Sequence, residues 1–169
     1  MAPRPTTLPL AYRVFFLIVE PASALVGAFY AHFRQSTYLA LTDAGSAPAA
    51  SSPVPAGTSV ALSQLANLYV LFALNEALVL RCTGDLTVWR VLLLVLLVAD
   101  LGHLLSLAAL GRPAVYWDVA AWNAVDWGNV PFVYLGAAMR VAFLAGVGLG
   151  GGGGARSGAG VGAKPRKTA

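Results

Sequence analysis

Four long apolar runs dominate the chain, over about residues 12–33, 60–80, 88–110 and 131–149. Each is close to the ~20 residues that an α-helix needs to cross a ~30 Å hydrocarbon layer. None alternates with the period of two that a barrel strand requires; residues 91–99 read VLLLVLLVA. A backbone in lipid must satisfy its own hydrogen bonds, so runs of this kind predict helices. The expected fold is all-α, a polytopic membrane four-helix bundle spanning residues 12–149.

The connections differ in character. Residues 34–59 are rich in Ala, Ser and Pro and predict a flexible surface loop. Residues 81–87, RCTGDLT, make a turn so short that the second and third runs must form an antiparallel hairpin. Residues 111–130 carry Tyr116, Trp117, Trp122 and Trp127. Such rings gather at the membrane–water boundary, which predicts an interfacial segment with a short amphipathic helix. A short segment, 1–11, precedes the first run. A Gly-rich basic tail, 150–169, follows the last and is expected to be disordered. Glu20-Pro21 interrupts the first run, so it reads as a retained helix and not a cleaved signal.

Composition supports the membrane reading. Of 169 residues, 58% are hydrophobic and only 11% are charged, with a mean hydropathy of +0.72. A soluble domain of this size has too much surface to be covered by so few charges. The net charge is +4, but the basic residues form no stripe, and no nucleic-acid partner is expected. The single cysteine, Cys82, excludes an internal disulfide and any CxxC motif.

Charge also orients the chain. With four spans, both termini and the middle turn share one side. That side holds Arg4, Arg13, Arg81, Arg90, Arg156, Lys164, Arg166 and Lys167, and the other holds Arg34 and Arg112. The positive-inside rule places the termini in the cytosol. The ending Arg166-Lys167-Thr168-Ala169 resembles a dilysine-type retrieval signal with Arg in place of one Lys, which implies the endoplasmic reticulum; it reads equally as a basic tail that anchors to anionic headgroups.

The informative residues are the polar ones inside the runs: Glu20, Glu76, Asp100, His103 and Arg140. A charge at the bilayer centre costs ~2.5–3.5 kcal/mol on insertion scales, so each calls for a reason. Asp100 and His103 are a turn apart on one face. Gln64, Asn67 and Asn75 fall on one stripe, expected to face the bundle. The small-residue spacing Gly27 to Ala31 lets a neighbouring helix approach closely. Two readings stay open. Either the polar set holds helices together, or a carboxylate–His cluster binds a ligand or moves a proton. The ligand-binding set is Glu20, Glu76, Asp100, His103, Arg140, Asn67, Asn75 and Trp127. No P-loop, dinucleotide fingerprint or nucleophile elbow is present, and His32 and His103 are the only histidines. Neither cofactor nor metal is expected, and no catalytic residue is singled out.

Several ordered pieces carry a resemblance: Arg13-Val-Phe-Phe with Glu20-Pro21, Asn67-Leu-Tyr69 with Glu76, Asp85-Leu-Thr-Val-Trp89-Arg90, Asp100-Leu-Gly-His103, and Trp122-Asn123-Ala-Val-Asp126-Trp127. Together they resemble a group of uncharacterised small fungal four-span membrane proteins, defined only as a domain of unknown function. The architecture and intramembrane acids are also similar to the sterol-isomerase and sigma-2-receptor-like superfamily. That likeness implies a sterol-like ligand between the helices, with membrane lipids as the surroundings. It also implies an isomerase-like proton transfer by an acid or His103. The alternative is a non-enzymatic scaffold or assembly partner whose polar cluster only fixes packing.

Overall fold

The computed structural model describes residues 8–49 and 52–149. The Gly-rich tail, its retrieval-like ending and most of the N-terminal segment lie outside these residues. Among the described residues the chain is helical and contains no strand. The helices are α1 (Leu10–Phe33), α2 (Gln35–Thr42), α3 (Ala56–Cys82), α4 (Leu86–Leu110), α5 (Ala124–Asn129) and α6 (Pro131–Leu144). Three of them, α1, α3 and α4, are long and apolar enough to cross a membrane.

Prolines and short polar caps set the boundaries. Pro9, Pro55 and Pro131 stand at the starts of α1, α3 and α6, where a missing N–H breaks no helical bond. The side chain of Asp85 accepts the N–H of Thr87 at 2.7 Å and starts α4. Gly111, at φ 65°, ends α4 in a left-handed conformation that costs glycine little. Asn123 and Asp126 form a reciprocal capping box on α5.

Two of the helices carry a π-helical stretch, Phe15–Val19 in α1 and Asn75–Leu80 in α3, and these pack against each other. Glu20-Pro21 follows the first directly. Pro21 has no N–H for the carbonyl four residues back, Leu17. Arg81, at the end of α3, donates Nη2 to that carbonyl at 2.9 Å instead.

Around this point the core has two ends. At one, Tyr12, Phe16, Leu80, Trp89, Leu93 and Phe143 pack together, with the Trp89 and Phe143 rings stacked 5.6 Å apart. At the other, α1 and α3 meet through Ala28, Ala31, Leu62 and Ala66. Small side chains there let the two helices come close, as the Gly27–Ala31 spacing anticipates. Gly27 itself lies under the Tyr69 ring, where an added Cβ would sit 3.4 Å away.

Three features differ from the sequence expectations. The segment 34–59 is not all loop: α2 fills its first part because Tyr38 is buried against the α1–α3 seam. The fourth apolar run is only partly helical. α6 has 14 residues, and turns follow it with Gly146 and Gly148 at φ 80° and 72°. The Gln64–Asn67 part of the α3 polar stripe faces outward, and both residues are exposed, with Asn75 half-buried. Leu62 and Ala66 occupy the inward face because the close α1 contact needs them there. Gln64 lies roughly 200° around the helix from Leu62.

Candidate functional site

Arg140 projects from the middle of α6, and its side chain is completely buried. A helical side chain leans toward its own N-terminus, which lays this one over the preceding turn at Gly136. The glycine leaves the space the guanidinium needs. A Cβ there would stand 2.7 Å from Arg140 Nη1 and 3.0 Å from Glu20 Oε1.

Three other helices each bring one carboxylate to this guanidinium. Nη2 donates to Glu20 Oε1 of α1 at 2.7 Å and to Glu76 Oε1 of α3 at 3.1 Å. Nη1 donates to Asp100 Oδ2 of α4 at 2.7 Å. A planar fork of five N–H donors can serve several carboxylates at once, which the point charge of a lysine cannot do as well. Phe16 and Phe72 add their rings, with centroids 5.6 and 5.5 Å from the guanidinium carbon. Glu20 and Glu76 belong to, or directly follow, the two π-helical stretches. Each such stretch shifts the register of the residues beyond it, and such stretches recur at functional positions.

The charges do not balance. Three carboxylates facing one guanidinium carry a formal charge of −2 if all are ionised. An uncompensated buried charge costs several kcal/mol, so the closed cluster needs two protons or two further positive charges to be neutral. Glu20 Oε2, Glu76 Oε2 and Arg140 Nε are buried without a hydrogen-bond partner among the described residues. No group of three or more His, Cys, Asp and Glu among those residues is arranged to hold a metal ion. The space between the three acids is filled by the guanidinium.

The structure therefore brings together Glu20, Glu76, Asp100 and Arg140 of the residues named from sequence. His103 lies a turn from Asp100, and its Nε2 is buried without a partner among the described residues. Asn75 is half-buried beside Glu76 in sequence, whereas Asn67 is exposed on the outer face of α3. Trp127 is 51% exposed and packs edge-on against Trp122 at 5.3 Å, away from the cluster. It belongs to a cap over one end of the molecule. There Asn123 Nδ2 donates to Leu41 O at 2.7 Å, and Arg112 Nη2 reaches Asp126 Oδ1 at 3.1 Å and Thr42 O at 3.2 Å.

Sequence reasoning missed Gly136 and the two rings. One signal was available: Gly136 is a single turn before the only charge in its run. Two surface depressions, of about 300 and 480 Å³, are lined by residues at the end of α1, in α2 and α3, and in the segments that join them. Neither shares a lining residue with the Arg140 cluster.

The family model of a domain of unknown function, DUF7704, matches residues 5–150. The chain belongs to this family. No curated protein and no solved structure matches it. The matched segment of the DUF7704 domain contains Glu20, Glu76, Asp100, Arg140 and Gly136, so the site lies within the family's own domain.

Proposed function

We propose that this DUF7704 protein is a non-enzymatic integral membrane scaffold and that the Arg140 cluster is the lock that fixes its helix packing. The observation that carries this reading is the bonding of one wholly buried guanidinium to a carboxylate from each of three other helices. Removing the arginine from such a buried set costs ~3–5 kcal/mol, because the three carboxylates are left uncompensated. With α6 crossing as a fourth span, the excess of eight basic residues to two supports cytosolic termini.

A second reading has its own observation. The orphaned oxygens of Glu20 and Glu76, with His103 Nε2, are polar atoms that a sterol-like or cationic amphiphile would satisfy if the helices parted. Thermal unfolding in lipid nanodiscs separates the two readings. The lock predicts that Asp100→Asn lowers the unfolding temperature equally with and without added sterol-like amphiphile. An amphiphile that stabilises the wild type and not Asp100→Asn would replace the scaffold reading with a ligand site.

A further inference from the structure

The outer face of α3 is made of two unlike halves. Val60, Gln64, Asn67, Leu71, Leu74 and Leu78 are all exposed and are spaced four, three, four, three and four residues apart. That alternation draws one continuous seam along the helix, the pattern with which two helices interdigitate. Toward Leu78 the seam is apolar and suits lipid. Toward Val60 it presents two primary amides.

Their depth makes them unusual. At ~1.5 Å per residue, Asn67 lies about 17 Å from the Ala56 end of α3 and about 23 Å from the Cys82 end. Gln64 is one turn nearer the Ala56 end. Both therefore fall within the ~30 Å hydrocarbon layer that α3 is long enough to cross. Lipid tails offer an amide no hydrogen-bond partner. The neighbouring Gln35 amide is engaged elsewhere, its Nε2 donating to Ser59 O and Ser63 Oγ. Ser59, Val60, Ser63, Gln64 and Asn67 line a groove of about 300 Å³ on this face.

We infer that this seam of α3 is a membrane-embedded dimer interface and that its occupant is a second copy of this chain. The chemistry of the amides selects that partner. A carboxamide both donates and accepts, so it is complementary to itself. Copies inserted with the same topology place equal residues at equal depth. A two-fold axis along the membrane normal then sets Gln64 against Gln64 and Asn67 against Asn67. An isologous interface of this kind needs no second sequence evolved to match it. The groove beside the amides accepts side chains from the facing helix, and interhelical amide bonds satisfy the groups that lipid cannot. The inference rests on α3 crossing the membrane and is independent of what the Arg140 cluster does.

The test uses the full chain in native membranes, with Cys82→Ser removing the only natural thiol. Gln64→Cys or Asn67→Cys is introduced singly, with Val98→Cys on the exposed face of α4 as a control, and a mild oxidant is added. The expected result is a covalent dimer from positions 64 and 67 and at least tenfold less from position 98. In a parallel measurement, single-molecule photobleaching in lipid vesicles should show two-step bleaching for the wild type. Gln64→Leu with Asn67→Leu should shift it to one step without lowering the unfolding temperature. Equal cross-linking from all three positions, one-step bleaching of the wild type, or cross-linking only to a different protein would overturn the proposal.

Discussion

Arg140 and Gly136 divide one volume between them: a Cβ on the glycine would lie 2.7 Å from the guanidinium Nη1. The arginine cannot swing aside, because its donors are held by Glu20, Glu76 and Asp100. Gly136→Ala should therefore destabilise the protein by ~1–3 kcal/mol through overpacking, despite alanine's better helix propensity. Chemical or thermal unfolding of the purified variant checks this. A variant as stable as the wild type would mean the cluster is loose enough to shift.

Asp100 and Arg140 do not form an isolated ion pair. Exchanging them, as Asp100→Arg with Arg140→Asp, leaves a carboxylate on α6 facing Glu20 and Glu76. The exchange is thus expected not to restore the abundance lost by either single change. Quantitative immunoblotting of membrane fractions reads the outcome. Recovery to the wild-type level would show that Asp100 is the one partner that matters.

Arg81 and Pro21 are linked through the Leu17 carbonyl. Arg81→Met should cost on the order of 1 kcal/mol, the net worth of one hydrogen bond to a solvent-facing donor. Pro21→Ala returns a backbone N–H to the same turn. In that background Arg81→Met should cost measurably less, as a double-mutant cycle would report. Equal costs in both backgrounds would separate the arginine from the proline.

At the capped end, Asp126 accepts from the backbone of Asn123 at 3.2 Å and from Arg112. Asp126→Ala removes half of the capping box and should cost ~0.5–2 kcal/mol. The half-exposed ion pair with Arg112 adds little to that figure. Hydrogen exchange should rise in α5 and α2 while the cluster end of α4 stays protected. Uniform deprotection would instead make the cap part of the global fold.

Hydropathy alone placed α1, α3 and α4, because long apolar helices write their length directly into the sequence. It did not rank the polar residues on one helix. On α3, Asn67 and Glu76 lie nine residues apart, about 180° around the axis, so only one of them faces the bundle. That choice is made by Arg140 on a helix 64 residues away and by the Ala28–Ala66 seam. The membership of Glu20, Glu76, Asp100 and Arg140 in the candidate set was legible from charge in apolar runs. Their convergence on one guanidinium was not, since it depends on long-range geometry and on two π-helical stretches. α2 was hidden for a related reason: Tyr38 holds it by a tertiary contact within a sequence of weak local preference.

The central claim is that the Arg140 cluster holds the helices together, and its most direct test is unfolding in lipid nanodiscs of Arg140→Met beside Glu76→Gln. Arg140→Met leaves three buried carboxylates with no guanidinium, whereas Glu76→Gln keeps an acceptor and lessens the excess of negative charge. The account predicts a loss of ~3–5 kcal/mol for Arg140→Met and at most ~1 kcal/mol for Glu76→Gln. An Arg140→Met protein that unfolds at the wild-type temperature would contradict it.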